Sequence, residues 1–294
     1  MKSVARLSAA LALAGGVLLS AGQIQLPEPA KAFGTSVTGA FEGWFDNPDG
    51  SRSFLVGYLN RNRARAVDVP IGPNNQIDPG GPDMGQPTHF LPGRQSGMFI
   101  VTVPKDFTPQ QRLTWTITVN AQTTSIPLRL RPDYNISPFR IQHDVTLVNT
   151  PPVLRFDESE QGVRGPAATA TKPLLTRTVL VSMPLSLAFW TEDDGKYSSG
   201  TNAPIRNLPP PVQLTWSKYR GPGSVTFDKD KPQVETLAGG GVNEQFRGKG
   251  ATTATFSEPG EYMLHVTAND YSGEGGGGEQ CCWTTAIVKV SVTR

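Results

Sequence analysis

The sequence has few of the residues that build catalytic and metal sites. It contains two cysteines and three histidines among 294 residues. No two histidines stand at H-x-H or H-x-x-x-H spacing, which excludes the common zinc signatures. There is no G-x-S-x-G elbow, no H-E-x-x-H, and no Lys-Ser/Thr after the glycine run. The sequence therefore offers no motif for a hydrolase elbow, a metalloprotease or a phosphate loop.

The chain also lacks a charge excess and a long apolar run. Its formal net charge is +2. Residues 1–32 carry three basic residues and one acidic residue, so basic and acidic residues balance in the remainder. Without a basic excess, few counterions can be displaced from nucleic acid or anionic lipid, and we expect neither as a partner. No run after residue 32 approaches the roughly 20 apolar residues of a spanning helix, so we expect no membrane span after signal cleavage.

The first 32 residues have the pattern of a secretory signal peptide. Lys2 and Arg6 form a charged n-region, and residues 7–19 form an apolar h-region. Ala30-Lys31-Ala32 then gives an A-x-A cleavage pattern. An uncleaved anchor is the alternative reading. The pattern predicts a secreted or periplasmic protein whose mature chain starts at Phe33.

The two cysteines are neighbours, within EGGGGEQCCWTT at 274–285. Export would place them in an oxidising compartment, where one internal pair, Cys281–Cys282, can form. Ordinary disulfides join Cα atoms about 4.4–6.8 Å apart, whereas neighbours across a trans peptide lie about 3.8 Å apart. A bond between them would close a small rigid ring. Two free thiols, or links to another chain, are the alternatives.

The residue after the cysteines, Trp283, is a candidate contact residue. A rigid ring beside it would hold the indole at a fixed geometry. We expect an apolar platform there, either for the first domain or for an external ligand. The alternative is that Trp283 packs inward and the cysteines lie in an ordinary turn.

Period-2 alternation predicts an all-β protein with two β-sandwich domains in tandem. After residue 32 no stretch keeps a 3.6-residue apolar period, while alternating runs separated by turn residues occur throughout. The first half has about six such runs, enough for a small sandwich. Asn149-Thr150-Pro151-Pro152 is typical of a semi-rigid linker. We therefore predict domains at 33–148 and 149–294.

A Pro- and Gly-rich segment, residues 72–97, interrupts the first half. Structureless loops of this length are uncommon and often functional. A hydrolase working through this loop would need Asp83, His89 and Arg94 to line one concave pocket. The alternative is a proline-stiffened cover over an open sheet edge.

Motifs in the second half resemble PKD and cadherin-like modules of bacterial secreted proteins. They are ATTATFSEPGEYMLHVTANDYSG at 251–273 followed by AIVKVSV at 286–292, NTPPV at 149–153, and FWTEDDG at 189–195. The resemblance implies an immunoglobulin-like sandwich that serves as a spacer, adhesion or binding unit. Tyr262 then suits a tyrosine corner, and Trp216 the core tryptophan of the third strand. The whole chain also looks like exported bacterial proteins that carry GPDMGQPTHFLP and QCCWT, which implies no activity.

This topology brings an acidic turn and the cysteine-bearing loop to one end of the second domain. Glu192, Asp193 and Asp194 would then lie near Asp270, close to the first domain. Ca²⁺ takes 6–8 oxygen ligands, and the resemblance to cadherin-like modules implies such a site. Calcium is therefore the candidate cofactor. The alternative is an ordinary Asp-Asp-Gly turn with a solvated acidic cap.

The leading functional prediction is a non-catalytic exported protein that binds or supports a partner. That partner would be an envelope or extracellular protein, matrix material or a glycan. Carbohydrate recognition is the alternative within binding, with Trp44, Phe45, Tyr58 or Phe90 stacking on sugar faces, although large rings are more often part of the core. The second alternative is the hydrolase of the 72–97 loop.

Overall fold

The computed structural model describes residues 29–142, 148–196, 210–241, 243–270 and 281–294. Residues 1–28 of the predicted signal sequence lie outside the described residues. Regular structure in the described part is β-strand, apart from one short 3-10 helix at Pro132–Tyr134. This confirms the all-β prediction. No helix among the described residues is long and apolar enough to cross a membrane.

The first half forms two three-stranded antiparallel sheets. One has the order β1-β2-β6 and the other β4-β7-β8, and two short strand pairs, β3-β5 and β9-β10, complete it. Phe54, Trp115 and Ile117 are buried in the core between the sheets. The strands are β1 (Val37–Asp46), β2 (Arg52–Asn60), β3 (Val67–Asp68), β4 (Asn75–Asp78), β5 (His89–Phe90), β6 (Gly93–Val103), β7 (Leu113–Val119), β8 (Gln122–Leu128), β9 (Ile141–Gln142) and β10 (Val148–Asn149).

The hairpin between β1 and β2 follows from its turn residues. Gly50 adopts φ 82°, a conformation that glycine accepts without a Cβ clash. The Gly50 N–H donates to the Asn47 carbonyl at 3.0 Å, which closes the turn. Asp49 Oδ1 accepts from the Ser51 N–H at 2.9 Å, an Asx-type contact typical of such turns.

The second half is a sandwich of two larger sheets. One has the order β12-β11-β14-β18-β16, with β17 also paired to β18. The other has the order β13-β20-β19-β15, and β13 lies parallel to β20. The strands are β11 (Val153–Arg155), β12 (Val163–Arg164), β13 (Leu175–Leu180), β14 (Leu185–Asp193), β15 (Gln213–Arg220), β16 (Val225–Phe227), β17 (Glu235–Ala238), β18 (Phe246–Phe256), β19 (Gly260–Asn269) and β20 (Trp283–Thr293).

The two signature aromatic residues of the second sandwich occupy their expected places. Trp216 is buried between the sheets. Tyr262 is fully buried, and its hydroxyl donates to the Glu258 carbonyl at 2.8 Å and accepts from the Gly223 N–H at 3.0 Å. This is the return of a tyrosine hydroxyl to nearby backbone that defines a tyrosine corner. The chain thus forms β-sandwiches in tandem, the second immunoglobulin-like.

The segment 72–97 is not the structureless loop that its composition suggests. It contains β4, β5 and the start of β6. The buried Asn75 side chain holds this segment in place through hydrogen bonds. Its Nδ2 donates to the carbonyls of Val69 and Pro87, and its Oδ1 accepts from the Trp115 indole at 3.0 Å. A buried amide with these partners fixes the backbone where alternation is absent.

The boundary between the predicted domains stays a prediction. β9 lies before it and β10 spans it, and the two strands pair through Ile141 with Asn149 and Gln142 with Val148. β11, the first strand of the second sandwich, begins four residues after β10. The connection between the halves is therefore short on its C-terminal side.

Candidate functional site at the junction of the two halves

The two halves share a hydrophobic cluster. Four residues of the second half, Ala168, Ala170, Tyr219 and Ile287, are buried in the core of the first half. The Ile100 N–H also donates to the Ala168 carbonyl at 3.0 Å. Apolar burial and main-chain hydrogen bonding together join the halves at this surface.

Arg220, at the end of β15, forms hydrogen bonds with the segment 82–86. Its two terminal nitrogens each lie 2.9 Å from an Asp83 carboxylate oxygen, and its Nε donates to the Gln86 carbonyl at 3.0 Å. The neighbouring Tyr219 hydroxyl donates to the Gly85 carbonyl. The hydrogen bond from Arg220 holds the pKa of Asp83 below its ordinary value. This two-point guanidinium–carboxylate geometry is the strongest form of a side-chain ion pair.

The three polar residues predicted for a hydrolase pocket have three separate partners. Asp83 pairs with Arg220 of the second half. His89 Nδ1 lies 2.8 Å from Asp68 Oδ1. Arg94 lies 2.6 Å from the Glu42 carboxylate. Each is held in its own ion pair, so the geometry gives the hydrolase hypothesis no shared pocket.

Glu42 is a buried charge that the sequence did not predict. Its side chain is 2% exposed, and its second oxygen accepts from the Gly97 N–H at 2.8 Å. Burial raises its pKa, and Arg94 opposes that rise. The register of β1 shifts between Phe41 and Gly43, which marks a β-bulge. A bulge redirects a side chain that strict alternation would place otherwise, and the only sequence signal here is a glycine.

Trp283 is packed between the halves. It is 2% exposed and clusters with Phe45 and Leu55 of the first half. Gly97 faces its ring, and a Cβ at that position would lie 2.6 Å from the indole. The apolar platform expected at Trp283 therefore contacts the first half. A contact of Trp283 with an external ligand stays a prediction.

Cys281 and Cys282 form the predicted vicinal disulfide, and both residues are buried. The Cys282 carbonyl accepts from the Asp270 N–H at 3.4 Å. The disulfide therefore lies between the acidic cluster and Trp283, where β20 begins. This places the cysteines and part of the acidic turn at one end of the second sandwich.

The acidic cluster consists of Asp193, Asp194 and Asp270, together with Asn149. Asn149 Nδ2 donates to Asp270 Oδ2 at 2.7 Å, and the Gly195 N–H donates to Asp193 Oδ2 at 2.7 Å. Asp193 is 5% exposed, and its Oδ1 is buried without a partner among the described residues. Asn149 Oδ1 is also buried and unpartnered. The cluster is rich in acceptors and short of donors.

The environment of Asp193 favours its neutral form. Burial is the largest cause, and the charges of Asp270 and Asp194 add to it, so the pKa of Asp193 rises to about 7. The Gly195 N–H and the charge of Arg164 act in the opposite direction. A proton on this carboxyl supplies the donor that the cluster lacks.

Glu192 does not belong to the cluster, which corrects the predicted ligand set. It precedes Asp193 on β14, so its side chain points to the opposite face of the sheet. There it pairs with Arg155 at 2.6 Å and with Arg247 at 3.4 Å.

The remaining carboxylates fit a calcium ion poorly. Asp194 Oδ2 accepts from the Thr150 N–H and hydroxyl. The described ranges contain no group of three or more His, Cys, Asp or Glu side chains able to hold a metal ion. Calcium at this cluster stays a prediction.

Phe90 and Trp44, the aromatic candidates for ligand contact, lie in different environments. Phe90 is fully buried, with its ring centroid 5.0 Å from that of Tyr58. The prediction of a ligand contact at Phe90 is therefore wrong. Trp44 is half-buried and lines a groove of about 730 Å³ in the first half. Its indole N–H donates to the Arg131 carbonyl at 2.7 Å.

No protein-family model matches this chain, and no curated protein matches it. Several solved structures are similar. Domains 4 and 5 of the S-layer protein SbsC are 9% identical, with a TM-score of 0.22 over 88% of this chain and 98% of that one. A protein of unknown function from Porphyromonas gingivalis W83 is 9% identical, with a TM-score of 0.22 over 87% and 99%. The titin Ig tandem A164-A165 is 9% identical, with a TM-score of 0.18 over 88% and 99%. Similarities at these scores support no inference about function.

Proposed function

We propose that this chain is a non-catalytic binding or structural protein that works outside the cytoplasm, with its two sandwiches acting as one rigid unit. The observation that carries the proposal is the junction between the halves. Domains within one chain move relative to each other unless their interface is extensive and apolar. The residues shared across this junction are largely apolar and buried.

Three kinds of contact support rigidity. Ile287 and Tyr219 bury apolar surface in the first half, and Trp283 adds a second apolar contact. Arg220 fixes the segment 82–86 through Asp83. The Thr88 N–H donates to the Tyr219 carbonyl at 3.2 Å, which extends main-chain hydrogen bonding across the junction. Hinge motion would have to break all three at once.

We propose no catalytic role because the polar residues of the hydrolase hypothesis make contacts within the fold. Asp83, His89 and Arg94 are each held by a partner within the fold. A catalytic acid or base needs access to the substrate and a pKa suited to proton transfer. The three side chains lie in separate contacts and do not converge on one substrate site.

Work outside the cytoplasm is supported by two sequence features. Residues 1–32 have the signal-peptide pattern, and the vicinal disulfide requires oxidising conditions to persist. Cell fractionation tests this part. We expect the processed chain in the periplasm or medium, starting at Phe33 by mass spectrometry. Unprocessed protein in the cytoplasm would contradict it.

The partner in this proposal is an envelope or extracellular protein, matrix material or a glycan. A near-neutral chain has no electrostatic reason to bind nucleic acid or anionic lipid. Rigid sandwiches position binding surfaces at a fixed spacing, which suits a spacer or an adhesion unit.

Small-angle X-ray scattering tests the rigid unit. We expect the scattering of the purified protein to match that calculated from one fixed arrangement of the described residues, with no gain in radius of gyration up to 0.5 M NaCl. Ionic contacts alone would loosen at that salt, whereas apolar burial would persist. A fit that requires several arrangements of the halves would overturn the proposal.

A further inference from the structure

We propose that the groove lined by Trp44 binds neutral carbohydrate, with the indole ring as its stacking surface. This names a ligand class for the binding function proposed above and rests on it. The groove of about 730 Å³ falls within the usual size of small-ligand sites. It lies in the first half, beside the ends of β1 and β6. Its lining residues are Trp44, Asp46, Arg52, Lys105, Asp106, Phe107, Thr108, Pro109, Leu130, Pro132 and Asn135.

The indole is held in place before any ligand arrives. The indole N–H donates to the Arg131 carbonyl at 2.7 Å, and the backbone carbonyl of Trp44 accepts from the Ile136 N–H at 2.9 Å. Because the N–H is engaged, Trp44 offers the groove its apolar ring rather than a donor. Phe107 and Leu130, both largely buried, supply further apolar lining. A preformed aromatic surface suits the C–H face of a pyranose ring, which is also flat and apolar.

The polar lining offers both hydrogen-bond donors and acceptors. Asp46 and Asp106 provide carboxylate oxygens, while Lys105 and Asn135 provide N–H groups. Sugar hydroxyls donate and accept at the same atom, so they can use both kinds of partner. A purely apolar pocket would leave such hydroxyls without hydrogen-bond partners.

Arg52 fastens the wall of the groove. Its Nη1 donates to the carbonyls of Lys105 and Phe107, at 3.1 and 3.2 Å, and its Nε lies 3.2 Å from Asp46 Oδ1. These bonds tie β2 to the chain after β6 and hold the residues on either side of Asp106. The polar groups are therefore presented from a fixed backbone, as selective recognition needs.

The charge of the lining favours a neutral ligand. Two carboxylates, Asp46 and Asp106, are balanced by two cations, Arg52 and Lys105. A polyanion or a polycation would meet equal attraction and repulsion at this surface. A proline-rich peptide, which docks on rows of aromatic side chains, would find Trp44 as the only tryptophan or tyrosine among the described lining residues.

The experiment is a titration of the ¹⁵N-labelled protein, followed through its tryptophan indole resonances. The probes are cellohexaose, maltohexaose, mannohexaose and chitohexaose, with deca-proline as the peptide probe. We expect at least one hexasaccharide to shift the Trp44 indole resonance saturably, because its ring lines the groove. Trp283 is buried at the junction, so its resonance should stay fixed and serves as an internal control. Loss of one indole peak in Trp44→Phe assigns the resonance.

Three variants complete the test. Trp44→Ala should weaken the affinity for that sugar at least tenfold, and Asp106→Asn several-fold. Phe33→Ala removes an aromatic side chain that is 68% exposed and should leave the affinity unchanged. Unfolding midpoints confirm that each variant is folded. Because Asp106 is exposed, Asp106→Asn keeps the test valid if Trp44→Ala does not fold.

Three results would overturn the proposal: no saturable shift with any of the four sugars, sugar affinity unchanged in both Trp44→Ala and Asp106→Asn, or a shift with deca-proline alone. The last would assign the groove to peptides. None of them bears on the rigid unit, which scattering tests separately. Conversely, a flexible junction would leave the groove intact, since all its lining residues belong to the first half.

Discussion

At the residue scale, two buried ionisable groups respond to pH in opposite directions. Burial and neighbouring carboxylates raise the pKa of Asp193 from 3.8 to about 7. Burial lowers the pKa of His265 from 6.5 to about 4. For Asp193 the folded state holds the proton more tightly, so its contribution to stability is present below pH 4 and is lost as pH rises to 7. For His265 the unfolded state holds the proton more tightly, so stability rises between pH 4 and 6.5.

Asp193→Asn should therefore change the pH dependence of unfolding. The amide stays neutral, so the loss of stability between pH 4 and 7 disappears and the rise due to His265 becomes visible. At pH 8 the variant should be more stable than the wild type, by on the order of 2 kcal/mol, since each pKa unit corresponds to about 1.4 kcal/mol. Denaturant unfolding at several pH values measures this. Asp106→Asn is the control, because that carboxyl is exposed. Parallel pH profiles for wild type and Asp193→Asn would contradict the expectation.

Thermal unfolding with and without added calcium tests the calcium prediction. Calcium at Asp193, Asp194 and Asp270 would raise the unfolding midpoint, and EGTA would reverse the rise. An unchanged midpoint at millimolar calcium removes calcium from this cluster and leaves the proton as the group that satisfies it.

The fold requires a glycine at position 97. It adopts φ 56°, and an added Cβ would lie 2.6 Å from the Trp283 ring. Gly50 adopts a similar conformation, φ 82°, with nothing within 4 Å of an added Cβ. Gly97→Ala should thus cost more stability than Gly50→Ala, by about 1–3 kcal/mol, because only the first adds a steric clash to the backbone strain. Chemical denaturation measures both. Equal losses would mean that Trp283 moves aside without penalty.

At the scale of the elements, the sheet β13-β20-β19-β15 departs from simple alternation. His265 stands out of phase with Leu264 and Val266, which predicts a solvent-facing residue. That prediction is wrong: His265 is 2% exposed and stacks 5.8 Å from the Tyr219 ring. The first half covers this face of β19 around His265, so the side chain is buried there. Alternation identifies a strand, but it cannot reveal what a second domain will cover.

The elements themselves were largely predictable. The alternating runs at 113–119 and 262–266 lie within β7 and β19. Short strands such as β3, β5 and β12 have two residues each and leave no periodic signal. They pair because neighbouring strands and buried amides position them, which is a tertiary effect.

The Arg220 contact is the element-level link between β15 and the segment 82–86. Arg220→Ala should lower the free energy of unfolding by on the order of 2 kcal/mol, because a hydrogen-bonded charge pair is lost and the Gln86 carbonyl loses a donor. Arg131→Ala is the matched control, since its pair with Asp133 is exposed to solvent and its loss should change the stability much less. Equal effects of the two variants would show that the Asp83 pair is no stronger than a surface contact.

At the scale of the whole molecule, the sequence predicted two sandwiches but not how they dock. The contact between the two sandwiches depends on residues whose sequence context is that of any strand or loop. Among them are Glu42, Tyr219 and Arg220. Nothing in their local patterns distinguishes them from surface residues. The vicinal cysteines and Trp283 did mark the junction, because two neighbouring thiols and a tryptophan behind a glycine run are unusual in any strand.

The shared cluster predicts that the first half is incomplete by itself. A fragment spanning 33–148 lacks Tyr219, Ile287 and the other residues that cover its core. We expect it to bind the dye ANS more strongly than the whole protein and to unfold with lower cooperativity, since apolar surface stays exposed. Fluorescence and urea unfolding of the fragment measure this. A fragment with weak ANS binding and a sharp transition would show that the cores are independent.

The position of Ile287 in the last strand has a consequence for biosynthesis. A ribosome makes β20 after every other strand of the described chain, yet this strand completes the first core as well as the second. The N-terminal half therefore stays incompletely packed until β20 has been synthesised. Such a delay suits the export proposed above, because a chain passes through a translocation channel unfolded.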